Sequence, residues 1–155
     1  MGYIKNYNVV SFVYDKEELF DSCCLQSSYV SRNVKDKEGN YIGEDFVLTS
    51  DEREGFEECL RKCIPDICKI FSKISPSKDV FELNDEILIK VLNNGCDDKT
   101  LDIIDEFLRT VLVYGILKGW YELCGEANLI GYCSQMYIDK RKELWESMFK
   151  MRVRN

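Results

Sequence analysis

The chain has no histidine anywhere in its 155 residues. That removes the usual base from any serine or cysteine nucleophile, and the commonest nitrogen ligand from any zinc site. Glycine is scattered: Gly39, Gly43 and Gly55 stand too far apart to form a loop that cradles phosphate. No apolar run is long enough for a bilayer, which takes about 20 residues. The most apolar stretch is closed off by Arg109 and Lys118, with Asp102, Asp105 and Glu106 just upstream. The N-terminus does not read as a signal peptide, because Lys5, Asn6 and Asn8 interrupt it before an apolar core forms. Positive charge is in deficit: 21 Lys and Arg stand against 28 Asp and Glu, for a formal net charge of -7. A nucleic-acid binder of the basic-groove kind needs the opposite balance. Carboxylates are plentiful, yet none pairs within an apolar stretch in a way that points to a raised pKa. The sequence reads as a chain that is not an enzyme, with no catalytic residue, no cofactor and no membrane contact.

What is present is a helix former of unusual length. From Asp98 to Cys124 the apolar positions Leu101, Ile104, Leu108, Val111 and Leu112 follow helical spacing, and from Val111 they spread around the whole circumference. A helix apolar on every side is buried on every side, so this run is expected to be the spine of the fold. Asp97 and Asp98 can cap its start, and Gly125 can take the left-handed conformation that closes its end. Val111, Trp120 and, further on, Trp145 are expected core residues. Gly115 and Gly119 share one face and let a neighbouring backbone approach. That neighbour is either the helix at 51–74 or the C-terminal one, in a tight crossing within the core or in a contact between subunits.

The hydrophobic content of 45% and charged content of 32% suit one globular domain with a real core. Residues 1–50 read as an N-terminal strand, a short helix and a polar loop, and 51–155 as a helical core. The strand is expected at 8–14. Asp15 with Glu18 forms a capping box for a helix carrying Leu19, Phe20, Cys23 and Cys24 and fading by Ser27 and Ser28. Residues 29–48 are polar and turn-rich, with Tyr41-Ile42 and Phe46-Val47-Leu48 as brief strands or loop anchors. Thr49 and Glu52 form a second capping signature. The apolar stripe Phe56, Leu60, Cys63, Ile64, Ile67, Phe71 then predicts a helix that runs through Pro65 and ends at Ser75-Pro76-Ser77. Residues 80–92 fit two patterns, a hairpin turning at Asn84-Asp85 or a helix capped at Asn84. A last helix, from about Asn128 to Met151, is expected to pack antiparallel on the spine, with Asp139 to Glu143 as a solvated face.

The eight cysteines are Cys23, Cys24, Cys59, Cys63, Cys68, Cys96, Cys124 and Cys133. Several fall on apolar helix faces, which favours buried reduced thiols over disulfides. A structural zinc site would need four thiolates converging from separate elements, and there is no Cys-x-x-Cys pair. The C-terminal Lys150, Arg152 and Arg154 complement the negative end of a helix, or form a basic tail for an acidic partner.

Val111-x-x-Tyr114-x-Ile116-Leu117-x-x-Trp120-Tyr121-x-Leu123-x-Gly125, followed by a long amphipathic helix ending in Arg152-x-Arg154, resembles small neck proteins of tailed bacteriophages. These are head–tail connector, ring or adaptor proteins, and the nearest flavour is that of crAss-like and related phages of gut Bacteroidetes. The resemblance covers about 45 residues closely and most of the chain loosely. It implies an antiparallel bundle of about four helices around a long central helix, with a short β-hairpin, now favoured for 80–92, and an extended polar loop. It implies a virion structural protein, assembled in the host bacterial cytoplasm as a homo-oligomeric ring, usually twelve-fold, between the portal protein and other neck and tail proteins. Such a ring extends the channel for double-stranded DNA during ejection without reading its sequence. The acidic balance is consistent with a wall that does not hold DNA. Contacts are then expected at the 29–48 loop (Lys35, Lys37, Tyr41), the 80–92 hairpin and the basic tail. Two other classes remain: a soluble intracellular helical adaptor that binds a partner protein in a groove, and a thiol-based redox or zinc protein.

Overall fold

The computed structural model describes residues 2–6, 8–72, 79–92 and 95–153, with side chains at all of these except 71–72, 79–81 and 149–153. The fold is mainly helical, with four α-helices and one antiparallel sheet. Two strands open the chain, β1 (Tyr3–Asn6) and β2 (Val9–Asp15). β2 is the expected strand, and alternation is its cause: Val10, Phe12 and Tyr14 point inward and are buried. β1 was not legible, because only Tyr3 of its side chains faces the core while Ile4, Lys5 and Asn6 are exposed.

Asp15 then caps α1 (Lys16–Ser31), its carboxylate accepting from the Glu18 amide at 3.1 Å. The helix does not fade at Ser27 and Ser28 as the sequence suggests. Its inward face continues as Cys23, Ser27 and Ser31, and the two small serines are buried. Each satisfies its hydroxyl on the backbone of the preceding turn, at 2.8 and 2.6 Å, so the polarity that hides the helix in the sequence costs little in the fold. After the loop, one turn of 3-10 helix (Ser50–Glu52) leads into α2 (Arg53–Ser72), which runs through Pro65 as expected. Thr49 does not cap a backbone amide; its hydroxyl meets the Glu52 carboxylate at 3.0 Å. The expected stop at Ser75-Pro76-Ser77 lies outside the described residues.

Residues 80–92 are a hairpin, β3 (Asp79–Glu82) and β4 (Glu86–Leu92). It is not a free-standing ribbon. β4 pairs along its whole length with β2, giving one four-stranded sheet in the order β1-β2-β4-β3. An isolated hairpin is marginal in water, and this pairing supplies the missing strands.

The long run is α3 (Asp98–Cys124), capped by Asp97 through the Thr100 amide at 2.8 Å and closed by Gly125 at φ 74. From Val111 to Leu117 every residue but Gly115 is buried. α4 (Ala127–Val153) follows after two residues and packs on α3, which also contacts α2 and α1. The charged group from Asp139 to Glu143 is not wholly solvated: Lys140, Arg141 and Glu143 are half-buried, and Arg141 reaches Asp66 of α2 at 3.5 Å. No helix among the described residues is long and apolar enough to cross a membrane.

Candidate functional site

Asp105, on the sheet-facing side of α3, and Lys16 are the two buried charged residues among the described ones. Asp105 is only 7% exposed. Its carboxylate accepts from the Tyr14 hydroxyl at 2.7 Å and from the Gly2 amide at 3.3 Å, and Arg109, one turn on, stands 3.5 Å away. Burial, then the Asp105 charge, pushes the Tyr14 hydroxyl well above its ordinary value, so it stays a donor at neutral pH. Nearby, the Tyr3 hydroxyl meets Asp102 at 2.7 Å, and Lys5 pairs with Asp98 at 2.9 Å. Together these lock β1 and β2 onto the first half of α3. Beside the lock lies a cavity of about 500 Å³, lined among others by Asp15, Glu18, Ser22, Glu86 and Arg109.

In the sequence Asp105 stands only as one of the acids just upstream of the apolar stretch. The signal was present: position 105 follows Leu101 by four and precedes Leu108 by three, inside the apolar stripe. A carboxylate there has to be buried with partners.

The two glycines do mark a close approach, and the neighbour is α2. A Cβ on Gly115 would lie 2.4 Å from the Cys63 sulfur and 3.0 Å from the Tyr137 ring. One on Gly119 would lie 3.2 Å from the Cys59 sulfur. The thiols of α2 thus fit into the gaps of α3, with α4 closing the third side through Tyr137. A groove of about 110 Å³ follows this seam, edged by Lys62, Asp66, Lys118 and Glu122. The Tyr137 hydroxyl donates to Asp66 at 2.7 Å.

Burial raises the thiols here, Cys59 to about 11 and Cys63 to about 12, with Cys133 on α4 also at about 12. They are protonated at neutral pH and poor nucleophiles. None of the eight cysteines is in a disulfide, five of them are buried, and among the described residues no three Cys, Asp or Glu side chains converge as metal ligands.

The remaining expected sites lie apart from both. Val111 is wholly buried, Trp120 and Trp145 half-buried. Trp120 packs beside Gly55 at the start of α2, and its indole N–H has no hydrogen-bond partner among the described residues. Lys150 and Arg152 fall in the last turns of α4, and Arg154 lies outside the described residues.

Lys35, Lys37 and Tyr41 come together on an ordered arm between α1 and α2. Asp36 organises it by accepting the Glu38 and Asn40 amides, each at 2.9 Å. The Asn40 amide foremost holds the Asp36 carboxyl below the usual carboxylate range. Gly39 turns the tip at φ 87, and Lys35 and Tyr41 form a bridge with the ammonium 4.6 Å above the ring. At the base Gly43 lies against the Ser31 carbonyl, and buried Leu48 donates its amide to Ser27 at 2.9 Å. Tyr41 itself is 69% exposed. The two segments that the sequence left as strands or anchors are therefore a single bridge at Tyr41 and an anchor at Leu48.

No family model, curated protein or solved structure matches the chain.

Proposed function

We propose that the chain is an assembly protein, and in its finer form a structural subunit of a tailed-phage neck. In this reading α1, α2 and α4 form an antiparallel bundle around α3. Copies close into a ring, usually twelve-fold, between portal and tail, and the ring extends the DNA channel. It is a virion component put together in the host bacterial cytoplasm, and it works by contact, not catalysis. The observation that carries the reading is the arm at 34–42. A polar loop that is fixed by its own Asp36 turn and pinned at Ser27 and Ser31 presents Tyr41, Lys35 and Lys37 with little left to order on binding. An exposed tyrosine with cations beside it is a common composition for a contact that excludes water. The Trp-Tyr pattern of α3 adds the family resemblance.

Electron microscopy of the purified chain, alone and mixed with phage portal rings, tests this. Rings of uniform copy number, or decoration of the portal, are expected. Tyr41→Ala with Lys35→Ala should abolish either while leaving the melting temperature within about 2 °C, as for surface changes away from the core. A chain that stays unassembled and ignores every portal ring offered overturns the neck reading. One-to-one complexes with a partner, lacking ring symmetry, would support the adaptor reading instead.

A further inference from the structure

Gly2 is buried and held on both sides of its Cα. Its carbonyl accepts from the Val13 amide at 2.7 Å, and its nitrogen donates to the Asp105 carboxylate at 3.3 Å. There is no room for a side chain, because a Cβ here would lie 2.5 and 2.9 Å from the two Asp105 oxygens. Those oxygens cannot give way without straining the 2.7 Å bond from Tyr14. Glycine is what lets a main-chain nitrogen come this close.

The partners of Asp105 leave its charge poorly matched. A buried carboxylate calls for a counter-charge and has about four lone-pair sites to fill. Asp105 has one short bond, from Tyr14, and a long one, from Gly2. Its cation, Arg109, stands 3.5 Å away on a half-exposed side chain, where water screens the pair. Lys5 of β1 is engaged by Asp98. A peptide nitrogen at Gly2 supplies one proton and no charge. An α-amino nitrogen in the same place supplies a full charge and three protons. The cavity of about 500 Å³ that Gly2 lines leaves room for water on the protons that Asp105 does not take.

We propose that the Met1–Gly2 bond is a processing site, and that the α-ammonium freed at Gly2 seats on Asp105 as a buried ion pair. A peptidase adds water across the bond: the C–N bond breaks, residue 1 leaves with a carboxylate, and the Gly2 nitrogen becomes the ammonium. The cut precedes the docking of β1, since the Gly2 nitrogen is buried once the sheet has formed. Processing then completes the same attachment that Tyr3 and Lys5 make to Asp102 and Asp98. Around the ammonium stand Tyr3 of β1, Tyr14 and Asp15 of β2, and Asp102, Asp105 and Arg109 of α3. Glu18 of α1 and Glu86 of β4 line the far side of the cavity. Carboxylates outnumber the guanidinium, which favours the charged amine. The inference is independent of the neck reading, which uses the arm and the basic tail.

Two forms of the chain test the seating, released from an N-terminal fusion so that one begins at Gly2 and the other at Met1. At pH 7 the Gly2 form should melt about 3–6 °C higher, the difference between a charged and a neutral donor on one carboxylate. An ordinary α-amino group titrates at about 7.7–8.0, and Asp105 raises it in the folded chain. The advantage is therefore fully present below about pH 7.7 and is lost as pH rises through the raised value, while the thiols titrate alike in both forms. Asp105→Asn should remove the advantage. Because that variant can fail to fold, NMR titration of the Gly2 amine in the wild-type chain is the second measure, with a midpoint well above about 8 expected. Equal melting of the two forms, an advantage that survives Asp105→Asn, or an amine that titrates at or below its ordinary value overturns the seating. Mass spectrometry of the chain purified without a tag should find residue 1 removed, and a retained Met1 overturns the processing.

Discussion

The two halves of α3 are held by different physics. The first half meets the sheet through polar side chains: Tyr3 on Asp102, Tyr14 and the Gly2 amide on Asp105, Lys5 on Asp98. Direction and charge set that contact. The second half meets α2 and α4 through the absence of side chains, with Cys63 against Gly115 and Cys59 against Gly119. Volume sets this one. A hydrogen-bonded lock tolerates small shifts but not the loss of an acceptor, whereas a close-packed seam tolerates loss of polarity but not added volume where an atom already fills the gap, as the Cys63 sulfur does at Gly115. One helix thus carries two kinds of constraint about ten residues apart.

Alkali should separate the halves with the largest effect. Folded thiols at about 11 and 12 are raised above the ordinary 9.0, so the folded state holds its protons more tightly than the unfolded chain. The stability these groups contribute is fully present below pH 9 and is lost as pH rises towards 11 to 12. Tyr14 adds to the loss only above its ordinary 10.0. Denaturant midpoints measured from pH 7 to 10.5 should stay flat up to about 9 and then fall. Cys63→Ala should reduce the steepness of that fall between 9 and 10, and an unchanged slope would place the proton release on unfolding elsewhere.

Asp105→Ala is expected to be the most damaging single change. It leaves the Gly2 amide without its carboxylate and the Tyr14 hydroxyl with only the residue-105 carbonyl at 3.2 Å, and hydrogen bonds to a charged group contribute about 1.5–3 kcal/mol each. A loss of about 3 kcal/mol, or a drop of roughly 6–12 °C in melting temperature, should follow. Tyr14→Phe should cost about 1–3 kcal/mol by the same reasoning. Because both residues serve one contact, the double variant should lose little more than Asp105→Ala alone. Additive losses would mean that the lock is two separate interactions.

Gly115→Ala comes next. Helix propensity favours alanine by about 1 kcal/mol. Against it stands a Cβ placed 2.4 Å from a sulfur on a short side chain, between two helices packed from different sides. Overpacking of this kind costs about 1–3 kcal/mol, and here it should exceed the propensity gain. Cys63→Ala in the same chain removes the clash, so the pair should be more stable than the sum of the single changes. Combined instead with Asp105→Ala, some 15 Å away along the helix, Gly115→Ala should add without coupling.

The seam was legible in the sequence and the lock was not, for a reason that concerns range. Two glycines one turn apart announce a close approach without saying to what, and the helix ends, the run through Pro65 and the β2 alternation are equally local. The Tyr14–Asp105 contact joins residues 91 positions apart, and nothing local to either names the other. The hairpin at 80–92 was ambiguous for the same reason: the choice between helix and strand is made by β2, through the Phe12–Ile89 register. Ser27 and Ser31 hid the end of α1 because their polarity is satisfied within their own helix. The arm illustrates the opposite case. The expectation of contacts at Lys35, Lys37 and Tyr41 comes with the resemblance, while the turn that presents them depends on Asp36, whose role needs the turn to be seen.

Gly119→Ala carries the smallest expected effect and the sharpest test of the seam. Its Cβ would meet the Cys59 sulfur at 3.2 Å and the Cys59 Cβ at 3.4 Å, tighter than ordinary packing yet within reach of a few tenths of an ångström of give. The helix gains about 1 kcal/mol from alanine, and the strain should take back most of it. Stability is therefore expected within about 0.5 kcal/mol of the wild type, the range of changes that meet no named mechanism. Adding Cys59→Ala should not rescue it, because there is little to relieve, whereas Cys63→Ala should rescue Gly115→Ala. Should the two alanine variants lose stability equally, α2 and α3 run at one distance along the seam. Should they differ as expected, the cause is the Cys63 sulfur and the Tyr137 ring that meet Gly115 and not the spacing of the helices, since the Cys59 Cβ and Cα reach Gly119 at 3.4 and 3.8 Å.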